Sequence, residues 1–475
     1  MHIHRDFPVL RWAISVVPLM VILASACQPP QSASVEGLWL SRGYGLFMEV
    51  AEGGIDVREI TAVSCIPREG PPSLVEVEPD GSWRLQVGDD PQGAFLGLDS
   101  ESVARLKRTG TASDILFDRT DVPPTVCARP PENTPESNFD VFWTTYREHY
   151  PFFEMKGVDW DGVRDEVRPL VNDETTPEQL FALLGEAIAP LEDVHTSITA
   201  GSLGRVTFMR PDPELDDSAS VMEVIATVEQ KFSRAVEIIE TRYLDSELRS
   251  FCKGHLRYGE LPDGIAYVYL DQEGDYTDQP DFAAALEVLE AALDTIFTAA
   301  GEATGLILDV RKNYGGSDIF SLALASRLAT REYTAYAKVA RADPDIPDRW
   351  TAPQRRSVPT TTRPSFSGAV VQLTGRYTIS AGETLTQALM GREPHITRIG
   401  EHTQGVFSDV LGRTLPNGWE FGLPNELFLT EDGRSFDGPG IPPDIEEPVF
   451  RDADLEAGRD PALVRAMAHI GAGGS

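Results

Sequence analysis

The sequence predicts a largely parallel α/β core, preceded by a helical segment and, ahead of that, by a small N-terminal antiparallel β domain. Three observations carry this. The runs "GIAYVYL", "GLILDV" and "GAVVQLT" are short, apolar and β-branched, and helical runs at 281–299 and 317–329 alternate with them, as in a parallel sheet. Between 139 and 200, apolar residues recur at three- and four-residue spacing, and Thr176 with Pro177 and Gln179 marks a helix start. Between 35 and 118, alternating runs such as "LVEVEPDGSWRLQV" turn at Pro79-Asp80-Gly81, the pattern of antiparallel strands.

The remaining boundaries follow from composition. Residues 119–138 are proline-rich and read as a linker, 201–263 as a helix-rich insert with one long helix over 218–244, and 264–452 as the core. Asn417-Gly418 predicts a hairpin within that core. Residues 453–475 read as a peripheral C-terminal tail. At the other end, Arg5 and Arg11 precede "WAISVVPLMVILASA", an apolar run interrupted by Pro18 and short for a membrane span. It ends in small residues at Cys27. Residues 1–27 thus have the layout of a bacterial lipoprotein signal, with Cys27 as lipid acceptor. Ala24 stands where leucine is usual, so an ordinary secretory signal cut near Ala26 is the alternative. Either reading takes the mature chain out of the cytoplasm. The lipoprotein reading places it in the cell envelope, on the periplasmic or outer-membrane side, and Gln28 rather than Asp after the cysteine suggests outer-membrane sorting if the cell has two membranes.

The charge of −34, from 75 acidic and 41 basic residues, argues against nucleic acid or an anionic membrane surface as partner. The one membrane attachment expected is the N-terminal lipid. Of four cysteines, Cys27 belongs to the signal, and in an oxidising compartment Cys65 and Cys127 flank one unit and suit a disulfide. Cys252 is left over. Neither C-x-x-C nor H-E-x-x-H occurs, so no metal site is expected.

Chemistry concentrates in a few places. "LILDVRKNYGGSD" ends a buried strand in Gly315-Gly316, where the backbone can approach a ligand and aim amides at a developing oxyanion. The plain alternative is a tight turn. Ser380, in "RYTISAGETLTQAL", follows a strand and opens a helix, where free amides and the helix dipole favour a negative oxygen. With Glu383 it also fits the S-x-x-E capping box, a purely structural role. The two roles are compatible. His195, in "LEDVHTSIT", occupies a loop position fit for a base, and His402, in "GEHTQG", is its competitor.

"LILDVRKNYGG", "YTISAGE", "RIGEHTQG" and "GPGIPPDIE", in that order and spacing, resemble the tail-specific and tricorn-type serine peptidases, the C-terminal processing peptidase-like family. "DWD" and "TPEQLFALLGEAIAPLEDVHTSI" resemble the helical segment ahead of their catalytic core. The resemblance covers roughly residues 135 to 450 and leaves the β domain unexplained. It implies a crotonase-like α/β core and hydrolysis of polypeptides through an acyl-enzyme, with no metal or organic cofactor. The tail-specific branch uses a lysine base, but Val406 stands at that position. The tricorn-type branch uses a histidine, which falls on His195, and an acidic residue before G-x-x-P-D, which falls on Asp437. Asp437 can equally be a turn residue beside Gly438. Val194 replaces that branch's second serine. The expected site is therefore Ser380 as nucleophile, His195 as base and Asp437 as its orienting acid, with amides of Gly315, Gly316 and Ala381 as oxyanion donors. The insert lacks the glycine loop of a PDZ domain. A non-catalytic ligand- or peptide-binding lipoprotein on the same fold is the rival expectation.

Overall fold

The strands Ile265–Leu270, Gly305–Asp309, Val370–Thr374 and Thr397–Gly400 lie side by side and parallel in a computed structural model of the chain. The structure describes residues 34–473 apart from Gly53, Pro213, 216–218, Pro280 and Pro347, and these pack as one unit. Cys27 and the signal segment lie outside the described residues. No helix among the described residues is long and apolar enough to cross a membrane.

Every residue of Ile265–Leu270 and of Gly305–Asp309 is buried, as a sheet covered on both faces requires. Alternation assigns the faces. Leu306 and Leu308 meet Leu293 of the helix Phe282–Ala299, Leu324 of Asp318–Ser326 and Leu385 of Ala381–Leu389. Ile307 and Leu373 look the other way, onto Ile238 and Ile239 of the helix Val221–Arg242 and Leu463 of the helix Pro461–Gly473.

Three boundaries need correction. The core sheet begins at Arg249, not Gly264, because Arg249–Phe251 and Leu256–Leu261 pair antiparallel at its edge. Arg257 and Glu260 interrupt the apolar pattern of the second strand, which hid it in the sequence. The 119–138 linker is shorter: a strand runs to Thr120, and a helix starts at Pro135, capped by Thr134. The tail is not peripheral. Leu463 and Ala466 are wholly buried, and Asp460 just before them pairs with the buried Arg311 at 2.8 Å.

The N-terminal strands form one nine-stranded antiparallel sheet, from Cys65–Pro67 at one edge to Ser73–Val77 at the other. A disulfide joins Cys65 to Cys127, and Cys252 is a buried free thiol. This sheet shares its core with the helical segment, where Trp39, Met48 and Phe117 pack into one cluster with Phe139, Tyr146, Leu184 and Phe421. The helix Pro177–Ile188 starts with the capping box of Thr176 and Gln179. The Asn417-Gly418 hairpin joins Val410–Thr414 to Glu420–Pro424, and Ser197–Thr199 adds beside the latter.

Because Leu463 is a core residue, Leu463→Ala is expected to cost about 3 kcal/mol of unfolding free energy, the usual loss for a buried leucine. Urea titration measures it, and a loss under about 0.5 kcal/mol, typical of surface sites, would return the helix to the periphery.

Candidate active site

All the loops that follow the parallel strands gather at one end of the sheet, where open α/β sheets bind ligands. Ser380 stands there with φ +54° and ψ −119°, a conformation that serine adopts only under constraint. Its own N–H donates to the Val406 carbonyl at 3.1 Å, and its carbonyl accepts from Glu383 and Thr384 in the first turn.

The capping box is overturned. The Ser380 hydroxyl makes no hydrogen bond to its helix. Glu383 turns away, its carboxyl accepting from Thr403 Oγ1 at 2.5 Å, Gly405 N at 2.6 Å and Val406 N at 2.8 Å. Glu383 therefore pins the loop whose carbonyl holds Ser380. Burial pushes its carboxyl up to about 7.

Gly315 lies against the serine. It has φ +86°, and a side chain there would place Cβ 2.5 Å from Ser380 Cβ and 2.9 Å from the Ala381 nitrogen. Gly316 has φ +145°, and its Cβ would fall 2.0 Å from the Glu273 carbonyl. The expected oxyanion donors divide on this geometry. The Gly315 N–H is engaged inward, by Asn313 Oδ1 at 2.8 Å, so Gly315 serves by the space it leaves rather than by its amide. The N–H groups of Gly316 and Ala381 have no acceptor among the described residues. Asn313 is the organiser here: its side chain also donates to the Leu270 carbonyl and to Glu273 Oε1, and its carbonyl receives Ile379 N–H.

His195 lies in the loop before Ser197–Thr199, its N–H donating to Asp193 Oδ1 at 3.0 Å while Tyr150 holds Asp193 Oδ2. Its buried Nδ1 has no partner among the described residues. Burial lowers its pKa below 6.5, against the pull of Asp193 and Asp409, with Arg205 and Lys156 acting in the same sense as burial. No hydrogen bond joins the Ser380 hydroxyl to this ring among the described residues, which in an unliganded site does not remove a candidate base. The run from Val406, which holds Ser380, to Asp409, whose charge acts on His195, spans three residues and so at most about 10 Å.

Asp437 makes no hydrogen bond to His195 among the described residues. Its carboxyl accepts from Phe407 N at 3.3 Å and from Ser435 Oγ at 2.8 Å, and burial pushes it up to about 8, so it is largely protonated near neutrality. The carboxylates that act electrostatically on the imidazole are Asp193 and Asp409, neither hydrogen-bonded to the ring among the described residues. His402 is exposed, with Nδ1 3.3 Å from the Pro439 carbonyl, on a separate polar cavity of about 540 Å³ that Arg210 and Arg376 also line. Lys338 is fully buried among carboxylates that keep it protonated against the cost of burial, so it cannot accept a proton. A groove of about 440 Å³ runs beside the His195 loop along the edge strand Arg205–Thr207, lined by Phe208, Met209 and Met222.

Residues 264–447 match the sequence profile of Peptidase family S41, and residues 131–189 that of the Tricorn protease C1 domain. Tricorn protease homolog 1 of Streptomyces coelicolor is 25% identical over 390 residues, a match covering 70% of this chain and 34% of that protein. The chain thus spans about a third of that relative's length. A crystal structure from Parabacteroides merdae, of a protein proposed to be a peptidase, is similar at 25% identity with a TM-score of 0.58, covering 71% of this chain and 97% of that one. Mature CPAF in complex with lactacystin shares the fold, with a TM-score of 0.50 at 12% identity, over 71% of this chain and 97% of that one.

The buried acids of this site fix a pH dependence of stability. Free carboxyls titrate near 4, whereas burial lifts Glu273 and Asp437 to about 8 and Glu383 to about 7. From about pH 6.5 to 8 the folded chain therefore holds protons that the unfolded chain has lost, and stability falls as pH rises. His149 and His195, shifted down by burial, act below about 6.5 and in the opposite sense. The urea midpoint is expected to drop between pH 6.5 and 8.5, and Asp437→Asn with Glu273→Gln to flatten the drop. A midpoint that stays level or rises would show these carboxyls ionised in the fold.

Proposed function

The chain belongs to the tricorn-type branch of peptidase family S41, and on that premise we propose that it is an exported serine endopeptidase acting through an acyl-enzyme on Ser380. One observation carries the reading. Ser380 is held at positive φ with a hydroxyl that caps nothing, directly against Gly315 and beside the unengaged amides of Gly316 and Ala381. Strain of this kind persists where a function requires it, and amides at a helix N-terminus favour an oxyanion.

In this mechanism His195 takes the Ser380 proton as the hydroxyl attacks the peptide carbonyl, and Gly316 and Ala381 amides receive the oxyanion. The imidazolium then donates its proton to the departing amine, and water releases the acyl group by the same steps in reverse. Asp193 and Asp409 supply the negative potential that steadies the imidazolium, a role Asp437 cannot fill while protonated. The substrate polypeptide would lie in the groove beside His195, where Arg205–Thr207 offers an unpaired strand edge. The parallel core is read as crotonase-like. Export and a lipid anchor at Cys27 belong to the same proposal, supported by the Cys65–Cys127 disulfide, a bond of oxidising compartments.

Ser380→Ala is expected to abolish peptide hydrolysis and fluorophosphonate labelling, while changing stability by less than about 0.5 kcal/mol, since no cap bond is lost. His195→Ala should lower turnover about a thousandfold or more, and His402→Ala far less. The acidic limb of kcat/KM should lie below 6.5, because only the neutral imidazole accepts the proton and burial lowers its pKa. An unlabelled wild-type chain would point to a non-catalytic binding protein instead. Mass spectrometry of membrane-extracted protein should show an acylated peptide beginning at Cys27, and a free terminus elsewhere would remove the anchor.

A further inference from the structure

Asp409, which the mechanism uses, belongs to an ionic cluster whose other members the mechanism leaves unused. The Lys338 ammonium, on the strand Tyr333–Ala340, meets Glu426 Oε2 at 2.9 Å, Asp409 Oδ2 at 3.1 Å and Asp318 Oδ2 at 3.5 Å. The Lys338, Asp318 and Glu426 side chains are at most 5% exposed. Asp409 is 35% exposed and burial raises Asp318 to about 6, so the costly charge is that of Glu426, which needs a donor beyond Lys338.

One such donor comes from the N-terminal sheet, together with a nearby positive charge. The Tyr44 hydroxyl donates to Glu426 Oε1 at 2.5 Å. Arg108, at the end of the strand Val103–Arg108, adds positive potential at Asp409 and Tyr44 without a hydrogen bond or ion pair to either among the described residues. The cluster reaches both halves of the candidate site. The Asp409 charge acts on His195 through space, raising its proton affinity. Asp318 Oδ1 accepts from Thr384 Oγ1 at 2.7 Å, and Thr384 N–H in turn holds the Ser380 carbonyl at 3.0 Å. A second contact from the same sheet lands next to Gly316, where Ser317 Oγ donates to the Gly110 carbonyl at 2.6 Å.

We propose that Tyr44 and Arg108 of the N-terminal sheet are positioning residues for the Ser380–His195 pair, acting through the Glu426–Lys338–Asp409 cluster. This rests on the serine peptidase reading above. Neither residue touches the reacting atoms. They set how much of the Asp409 charge remains uncompensated at the imidazole, and they hold Lys338 where it also restrains Asp318 and hence the turn that carries Ser380.

The sign of the effect is determined. Asp193 and Asp409 raise the proton affinity of His195, while Arg205 and Lys156 lower it. Removing the Arg108 charge leaves Asp409 less compensated, so the imidazole holds its proton to higher pH. Removing the Tyr44 hydroxyl leaves Glu426 short of a donor, which draws Lys338 away from Asp409 and acts in the same direction.

The test is the rate of Ser380 labelling by a fluorophosphonate against pH, in the full chain, with thermal unfolding recorded alongside. Tyr44→Phe and Arg108→Gln are expected to move the acidic limb up by about half a pH unit and to slow the plateau rate about fivefold. Arg108→Lys, which keeps the charge, should bring the limb back. Limbs and rates equal to the parent in both variants, or an Arg108→Lys profile identical to Arg108→Gln, would overturn the proposal. If Tyr44→Phe does not fold, the two Arg108 variants decide it alone. A parent chain that is never labelled brings down the peptidase reading and this inference together, whereas a labelled parent with unmoved variants removes only the inference.

Discussion

The Glu383 carboxyl, with three donors drawn from the Thr403–Val406 loop, is the interaction on which the candidate site depends. A carboxyl buried without such donors is expensive, and with them it becomes a rigid three-point anchor. The loop it anchors presents the Val406 carbonyl to the Ser380 N–H, and that bond keeps the serine at positive φ at the mouth of its helix. Release the loop and Ser380 can relax into an ordinary helix start, its hydroxyl turned to the first-turn amides. Val406, standing where a lysine base was sought in the sequence, contributes through its backbone alone.

Around this anchor the acids divide into two populations, and burial with the available partners decides which is which. Glu273, Glu383 and Asp437 are buried with hydrogen-bond donors but no cation in contact, so desolvation dominates and each keeps its proton to higher pH. Asp409 is less buried, its side chain 35% exposed, and Lys338 at 3.1 Å holds it below the usual carboxylate range, with Arg108 acting in the same sense. Only the ionised kind can steady an imidazolium. On the proposed mechanism the charge beside His195 comes from a carboxylate with cationic support, while Glu273, Glu383 and Asp437 serve as hydrogen-bonded struts for the loops.

The parts of this arrangement that were legible in the sequence are those with short-range signals. Unbroken apolar runs marked the strands, Gly315-Gly316 marked a backbone held close to another group, and the ordered motifs singled out Ser380 and His195. The misreadings share a cause. S-x-x-E at Ser380 is a local pattern, but Glu383 found better donors twenty or more residues away, and local spacing cannot show that competition. Asp437 had the right residue type at the right motif position, but its ionisation depends on surroundings that the chain assembles from distant segments. Lys338, Asp409, Glu426 and Tyr44 have no shared motif at all. Their association exists only once the three-stranded sheet of Tyr333–Ala340 and Glu426–Leu429 has formed and the N-terminal sheet has closed on it.

That closure changes what the N-terminal sheet is. As a separate module it could be a binding accessory that folds and acts alone. In the structure it shares a core with the helices that precede His195, through Trp39, Phe117, Phe139 and Tyr146, and sends Tyr44 into the ionic cluster behind the site. A buried cation beside the buried Glu426 carboxylate needs further donors, so the half that carries Ser380 has an electrostatic deficit that Tyr44 of the sheet offsets. The physical consequence runs in both directions: the sheet is held in place by the charges it satisfies, and those charges keep their positions only while the sheet is docked.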